Sequence, residues 1–177
     1  MLTDNQNKII SDLKEEFARI NKTPSGGKRG LLIDRSEIDN IVSESAKKLA
    51  EIRLIEASVF RAAREKIEDD VRRLNIDLED MGLAAEVKSD IHYARGRVYK
   101  PGYKFDESIK WNYELDGSYV TLPDGTTHRY NSKILNIYAS FCLSGSGVSC
   151  RFKTIDDMFA DDKVKRALIE IYKLECK

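Results

Sequence analysis

The sequence predicts a mainly α, α+β protein: one long amphipathic helix with helical-hairpin, coiled-coil-like packing, then a small antiparallel β-meander and a C-terminal helix. Three observations predict it. Apolar residues recur every three or four positions from Ile38 to Leu74, with no proline or glycine between Gly30 and Gly82. Alternating segments flank Asp116-Gly117 and Pro123-Asp124-Gly125, both of which favour tight turns. Thr154, followed by Asp156 and Asp157, opens a last amphipathic stretch.

A short first helix is expected where Ile9, Ile10, Leu13, Phe17 and Ile20 share one face, and Thr23-Pro24-Ser25-Gly26-Gly27 stops it. The second helix, capped by Asp34 or Ser36, runs from about residue 36 to 74 and measures about 60 Å at its regular rise. Such a rod outruns a compact core, so its stripe calls for a cover: an earlier or later segment, a second copy of the chain, or another protein. Leu78, Met81, Leu83, Ala84, Val87 and Ile91 suggest a shorter helix ending near Tyr93. Residues 95–102 read as irregular, with a turn at Pro101-Gly102. A three-stranded meander follows over Trp111–Leu115, Tyr119–Leu122 and Thr126–Tyr130. Ile134 to Cys142 favours a short buried helix, and Ser144-Gly145-Ser146-Gly147 breaks it. Two regions result: 1–94, helical, and 95–177, a small α+β part.

The 177-residue chain balances 30 basic residues against 30 acidic ones, so no global field draws it to nucleic acid or to an anionic membrane. Charge is zoned locally. Residues 65–91 hold nine acids and four bases, whereas His92 to Lys104 holds four bases and no acid. No apolar run is long enough to cross a bilayer, and Met1 to Gln6 lacks the pattern of a secretion signal, so a cytoplasmic address is the expectation. Cys142, Cys150 and Cys176 are odd in number without CxxC spacing, which fits reduced thiols. A Cys142–Cys150 bridge across the glycine-containing loop stays open.

Catalytic and metal chemistry find little footing. Gly26-Gly27-Lys28-Arg29-Gly30 lacks the spacing of a phosphate loop and reads as a basic connector. His92 and His128 are the two histidines, and neither falls at metal-ligand spacing. Glu68, Asp69 and Asp70 diverge around a helix, and Asp156, Asp157, Asp161 and Asp162 are explained by capping. The expectation is therefore a non-enzyme with no cofactor and no metal.

The segment with most chemical content is His92 to Lys104, where Arg95, Arg97, Lys100 and Lys104 interleave with Tyr93, Tyr99 and Tyr103. Arg and Tyr are enriched at protein-binding hot spots, and the same residue types bind phosphates and stack on bases. Packing against the protein's own acidic stretch is the third reading. The leading expectation is an interaction protein, an adaptor, inhibitor or assembly factor, using Ile52 and Val59 on the long helix with Arg95, Arg97, Tyr99 and Tyr103. Its partner is another protein or a second copy in a homodimer, and an inhibitor of a host enzyme carried by a phage or mobile element is one concrete form. The alternative is a nucleic-acid-binding regulator using Lys28, Arg29, Arg95, Arg97, Tyr99, Lys100 and Lys104.

Overall fold

The computed structural model describes residues 11–12, 15, 35–90, 93–103 and 107–174. Its elements run α1 (Arg35–Glu79), β1 (Ala84–Asp90), β2 (Tyr93–Tyr99), β3 (Ser108–Thr121), β4 (Thr127–Leu143), β5 (Ser146–Phe152), α2 (Ile155–Ala160) and α3 (Asp162–Tyr172). The strands form one antiparallel sheet in the order β1-β2-β3-β4-β5. Apart from the helical Ser11, Asp12 and Glu15, the expected first helix and the connector to Gly30 lie outside the described residues. Among those described, no helix is long and apolar enough to cross a membrane.

The mainly α class is overturned by this sheet, and each misread segment has a physical reason. Gly82, at φ 64°, ends the helical stretch after Glu79, and the chain re-enters as β1. There Leu83 and Ala85 are buried and Val87 partly so, a two-residue period in place of the expected shorter helix. Residues 95–99 are strand rather than irregular chain, while the turn at Pro101-Gly102 forms with Gly102 at φ 80°. Ile134 to Cys142 belongs to β4, not to a helix. Its Ile137, Ala139 and Phe141 alternate inward, and the additional apolar side chains of Ile134 and Tyr138 supply the false helical spacing.

The long helix forms as expected and extends past Leu74 to Glu79. It carries Val42, Ala46, Ile52, Val59, Ala63, Ile67, Val71, Leu74 and Leu78 as buried residues of the single chain. The expected last helix starts at Thr154, whose side chain accepts from Asp157 N–H while the Asp157 carboxylate accepts from Thr154 N–H. It then divides, because Asp161 leaves helical geometry and caps α3 through Lys163 and Val164.

The chain separates into two units, with α1, β3 and β4 running through both. Among described residues the first holds Ser11, Asp12 and Glu15, 35–56 of α1 and 117–130 of the β3–β4 hairpin. Val42, Ser45, Ala46, Ile52 and Leu122 are its buried residues. The hairpin turns at Pro123-Asp124-Gly125, with Gly125 at φ 83°. Asp124 accepts from Thr126 Oγ1 at 2.6 Å and from its N–H at 2.9 Å, which holds the carboxyl below its ordinary range. The Asp124 N–H donates to Ser45 Oγ at 3.1 Å. No turn forms at Asp116-Gly117, which stays extended within β3. A Cβ on Gly117 would sit 2.4 Å from Arg129 Nε, so the glycine makes room for a cross-strand arginine.

The second unit holds the main core. Ile67, Val71, Leu74 and Leu78 of α1 cluster with Val98, Ile109, Trp111, Ile137, Ala139 and Phe141 of the sheet and with Met158, Val164, Leu168 and Ile171 of α2 and α3. Trp111, 1% exposed, crosses Gly96 on β2 and meets Phe159 edge-on at 6.3 Å between centroids. The β4–β5 turn uses Ser144 and Gly145 at φ 51° and 77°, the twist an antiparallel hairpin favours.

Candidate interaction face

The pleat of β2 sorts the basic aromatic segment by chemistry. Ala94, Gly96 and Val98 face the core, so Arg95, Arg97 and Tyr99 fall on the opposite, outer face. Register extends that face sideways: Lys88 and Glu86 of β1 stand opposite Arg95 and Arg97, and Lys110 of β3 stands opposite Arg97 on its other side. Glu86 pairs with Arg97 at 2.9 Å and lies 4.0 Å from Lys88. The Arg97 guanidinium, with its side chain 16% exposed, also rests over the Tyr99 ring at 4.5 Å.

At the other side of the sheet Arg151 of β5 pairs with Glu114 of β3 at 2.9 Å and lies over Tyr138 of β4 at 5.8 Å. The Tyr138 hydroxyl donates to Ser149 Oγ across the β4–β5 ladder at 2.9 Å. The outer face is therefore polar from edge to edge, built of arginine, lysine, tyrosine, serine and carboxylates.

Of the residues singled out in the sequence, Arg95, Arg97 and Tyr99 come together, and the Glu86 contact makes part of that segment intramolecular. Ile52 and Val59, at 4% and 9% exposure, are buried within the chain. Lys100 serves a different end: its ammonium donates to the carbonyls of Tyr172 and Leu174, capping α3 at the negative end of its dipole. Tyr103 is half-buried in the Pro101-Gly102 turn. Lys28, Arg29 and Lys104 lie outside the described residues. Sequence reasoning misses Lys88 and Lys110. A helical reading of residues 78–91 gives Lys88 a phase that carries no information about a sheet face.

The β1 edge is closed at Ala85. Its N–H donates to Asn75 Oδ1 at 2.7 Å, and its carbonyl accepts from Asn75 Nδ2 at 2.9 Å, so a helix side chain occupies the groups an added strand would need. A partner thus meets the face rather than this part of the edge.

On the inner side, Tyr113 donates to Asp70 at 2.9 Å. Burial pushes the Asp70 carboxyl up despite Tyr113, the facing Trp111 indole, Arg73 and Lys66, all of which favour the charge. The Trp111 Nε1–H is buried and near enough to favour the Asp70 charge, but completes no well-aligned hydrogen bond among the described residues. Burial and the adjacent carboxylate raise the Tyr113 phenol well above its ordinary value. This group joins α1 to β3.

Cys142 and Cys150 do not pair. Cys142 stands opposite Gly147 and Cys150 opposite Ala139, positions of opposite parity, so their side chains leave the sheet on different faces. Among the described residues no group of three or more His, Cys, Asp or Glu is placed to hold a metal ion. No family model matches the chain, and no curated protein and no solved structure matches it either.

Proposed function

We propose that this is a non-enzymatic protein-binding module, an adaptor, inhibitor or assembly factor, that contacts its partner through the outer face of the sheet. The observation that carries the reading is the sorting of β2, which sets Arg95, Arg97 and Tyr99 beside Lys88 and Lys110 on one polar face while small and apolar residues fill the core side. Arginine and tyrosine supply large contact area with directional hydrogen bonding, the composition that dominates binding energy at protein interfaces. Support moves away from Ile52 and Val59 of the long helix, which are buried within the chain, although Leu54, Ile55 and Phe60 beside them stay exposed.

The test compares wild type with Arg95→Asp as bait in affinity capture from the native host, after both are shown to melt alike. A protein retained by wild type and lost with the variant is the expected result. Equal retention by both baits, or none by either, overturns the reading.

A further inference from the structure

The two edges of the sheet differ. Asn75 occupies the β1 edge at Ala85, whereas nothing among the described residues does so for β5. The β4–β5 loop holds only Ser144 and Gly145, so Leu143 and Ser146 are a hydrogen-bonded pair and the ladder alternates from there. Gly147, Ser149 and Arg151, opposite Cys142, Ser140 and Tyr138, therefore fall in the non-hydrogen-bonded pairs and turn their N–H and C=O groups outward, away from β4. Among the described residues, none of the backbone hydrogen bonds outside helices and strands reaches those groups. The strand contains no proline and pairs with β4 without a bulge, so nothing in it discourages a further strand.

What fits there follows from the sequence of β5, which is complementary to itself. In an antiparallel pairing centred on Ser149, Ser149 meets its own copy and Gly147 meets Arg151 in both directions, so every outward N–H and C=O of these residues is bonded. Arg151, the charged residue of the strand, then faces a position without a side chain, and the two arginines stand about 14 Å apart, beyond the screening length at physiological salt. Centring on Arg151 would set the two guanidinium groups against each other, and centring on Gly147 would leave the Arg151 groups unbonded. Within the chain a Cβ on Gly147 would meet nothing within 4 Å and its φ is not positive, so neither packing nor backbone calls for a glycine there. On the inner side Val148 and Phe152, partly buried in one chain, meet Cys150 and Ser146 of the second copy. We infer that the chain forms a homodimer by antiparallel pairing of β5 with β5 of a second copy, joining the two sheets edge to edge. The two-fold axis at Ser149 stands perpendicular to the sheet, so both outer faces lie on one side. This inference does not rest on the reading of that face.

Sedimentation equilibrium of the full chain from about 1 to about 100 μM should show monomer passing into dimer. Gly147→Lys sets a second cation opposite each Arg151 and should weaken the dimer about tenfold, whereas Gly147→Glu should tighten it. Both variants should melt like wild type when dilute, because a side chain at this position meets nothing in its own chain. Cross-linking fixes the register. In a background of Cys142→Ser, Cys150→Ala and Cys176→Ser, Ser149→Cys should form a covalent dimer on mild oxidation, its Cα atoms standing about 5.5 Å apart across the axis. Gly147→Cys in the same background should not, at about 14 Å. A chain that stays monomeric throughout overturns the inference. So do equal effects of Gly147→Lys and Gly147→Glu, a Ser149→Cys variant that does not cross-link, or a Gly147→Cys variant that cross-links as readily.

Discussion

The Tyr113 hydroxyl donates to the Asp70 carboxylate at 2.9 Å, fastening β3 to α1 beside the chain's single tryptophan. Because burial raises the Asp70 pKa from 3.8, its contribution to stability is fully present below that value and is lost as pH rises through the higher folded value. Ionised Asp70 thus costs stability at neutral pH. Asp70→Asn keeps an acceptor for Tyr113 without the charge. It should equal or exceed wild type in urea unfolding at pH 7, and lose that advantage below the unfolded carboxyl range, with Trp111 fluorescence as the readout.

Gly96→Ala should be among the most damaging small substitutions. A Cβ there would fall 2.0 Å from the Trp111 ring, which is locked between the sheet and Phe159. Overpacking of this kind costs about 1–3 kcal/mol. Gly147→Ala, whose added methyl would meet nothing within 4 Å, is the matched control and should change the melting temperature little.

Asn75→Ala should cost about 1–3 kcal/mol, because it removes two hydrogen bonds from the Ala85 backbone. The same variant exposes the β1 edge. Light scattering at raised concentration should show more self-association than wild type.

Lys100→Met keeps the aliphatic stem but removes the ammonium from the carbonyls of Tyr172 and Leu174. The expected loss is about 0.5–1 kcal/mol, with faster hydrogen exchange confined to the end of α3. Loss of the captured host partner in a variant that stays folded would return Lys100 to the binding surface.

The long helix is legible because its signal is local: a stripe from Val42 to Leu78 repeats at helical spacing with nothing to interrupt it. Much of the sheet is not. Leu83, Ala85 and Val87 give only three inward positions, and Ala84 and Ile91 blur their period into a helical one. Gly96 reads as a breaker in a basic tail, yet its reason is Trp111, fifteen residues later, which needs a strand with no side chain beneath it. Asp116-Gly117 meets every local criterion for a hairpin turn, but Arg129 reaches across that glycine and the strand continues. The candidate face is half legible. Composition flags Arg95, Arg97 and Tyr99, whereas Lys88 and Lys110 join them only through register, a property no window along one strand contains.

The opposed parity of Cys142 and Cys150 equips the molecule with a reporter. In a Cys176→Ser background, a thiol-reactive dye coupled at the exposed Cys142 would share the solvent side of β4 with Tyr138, whereas Cys150 is turned inward. Emission from that one position then follows occupancy of the polar surface in real time, without adding a tag to it.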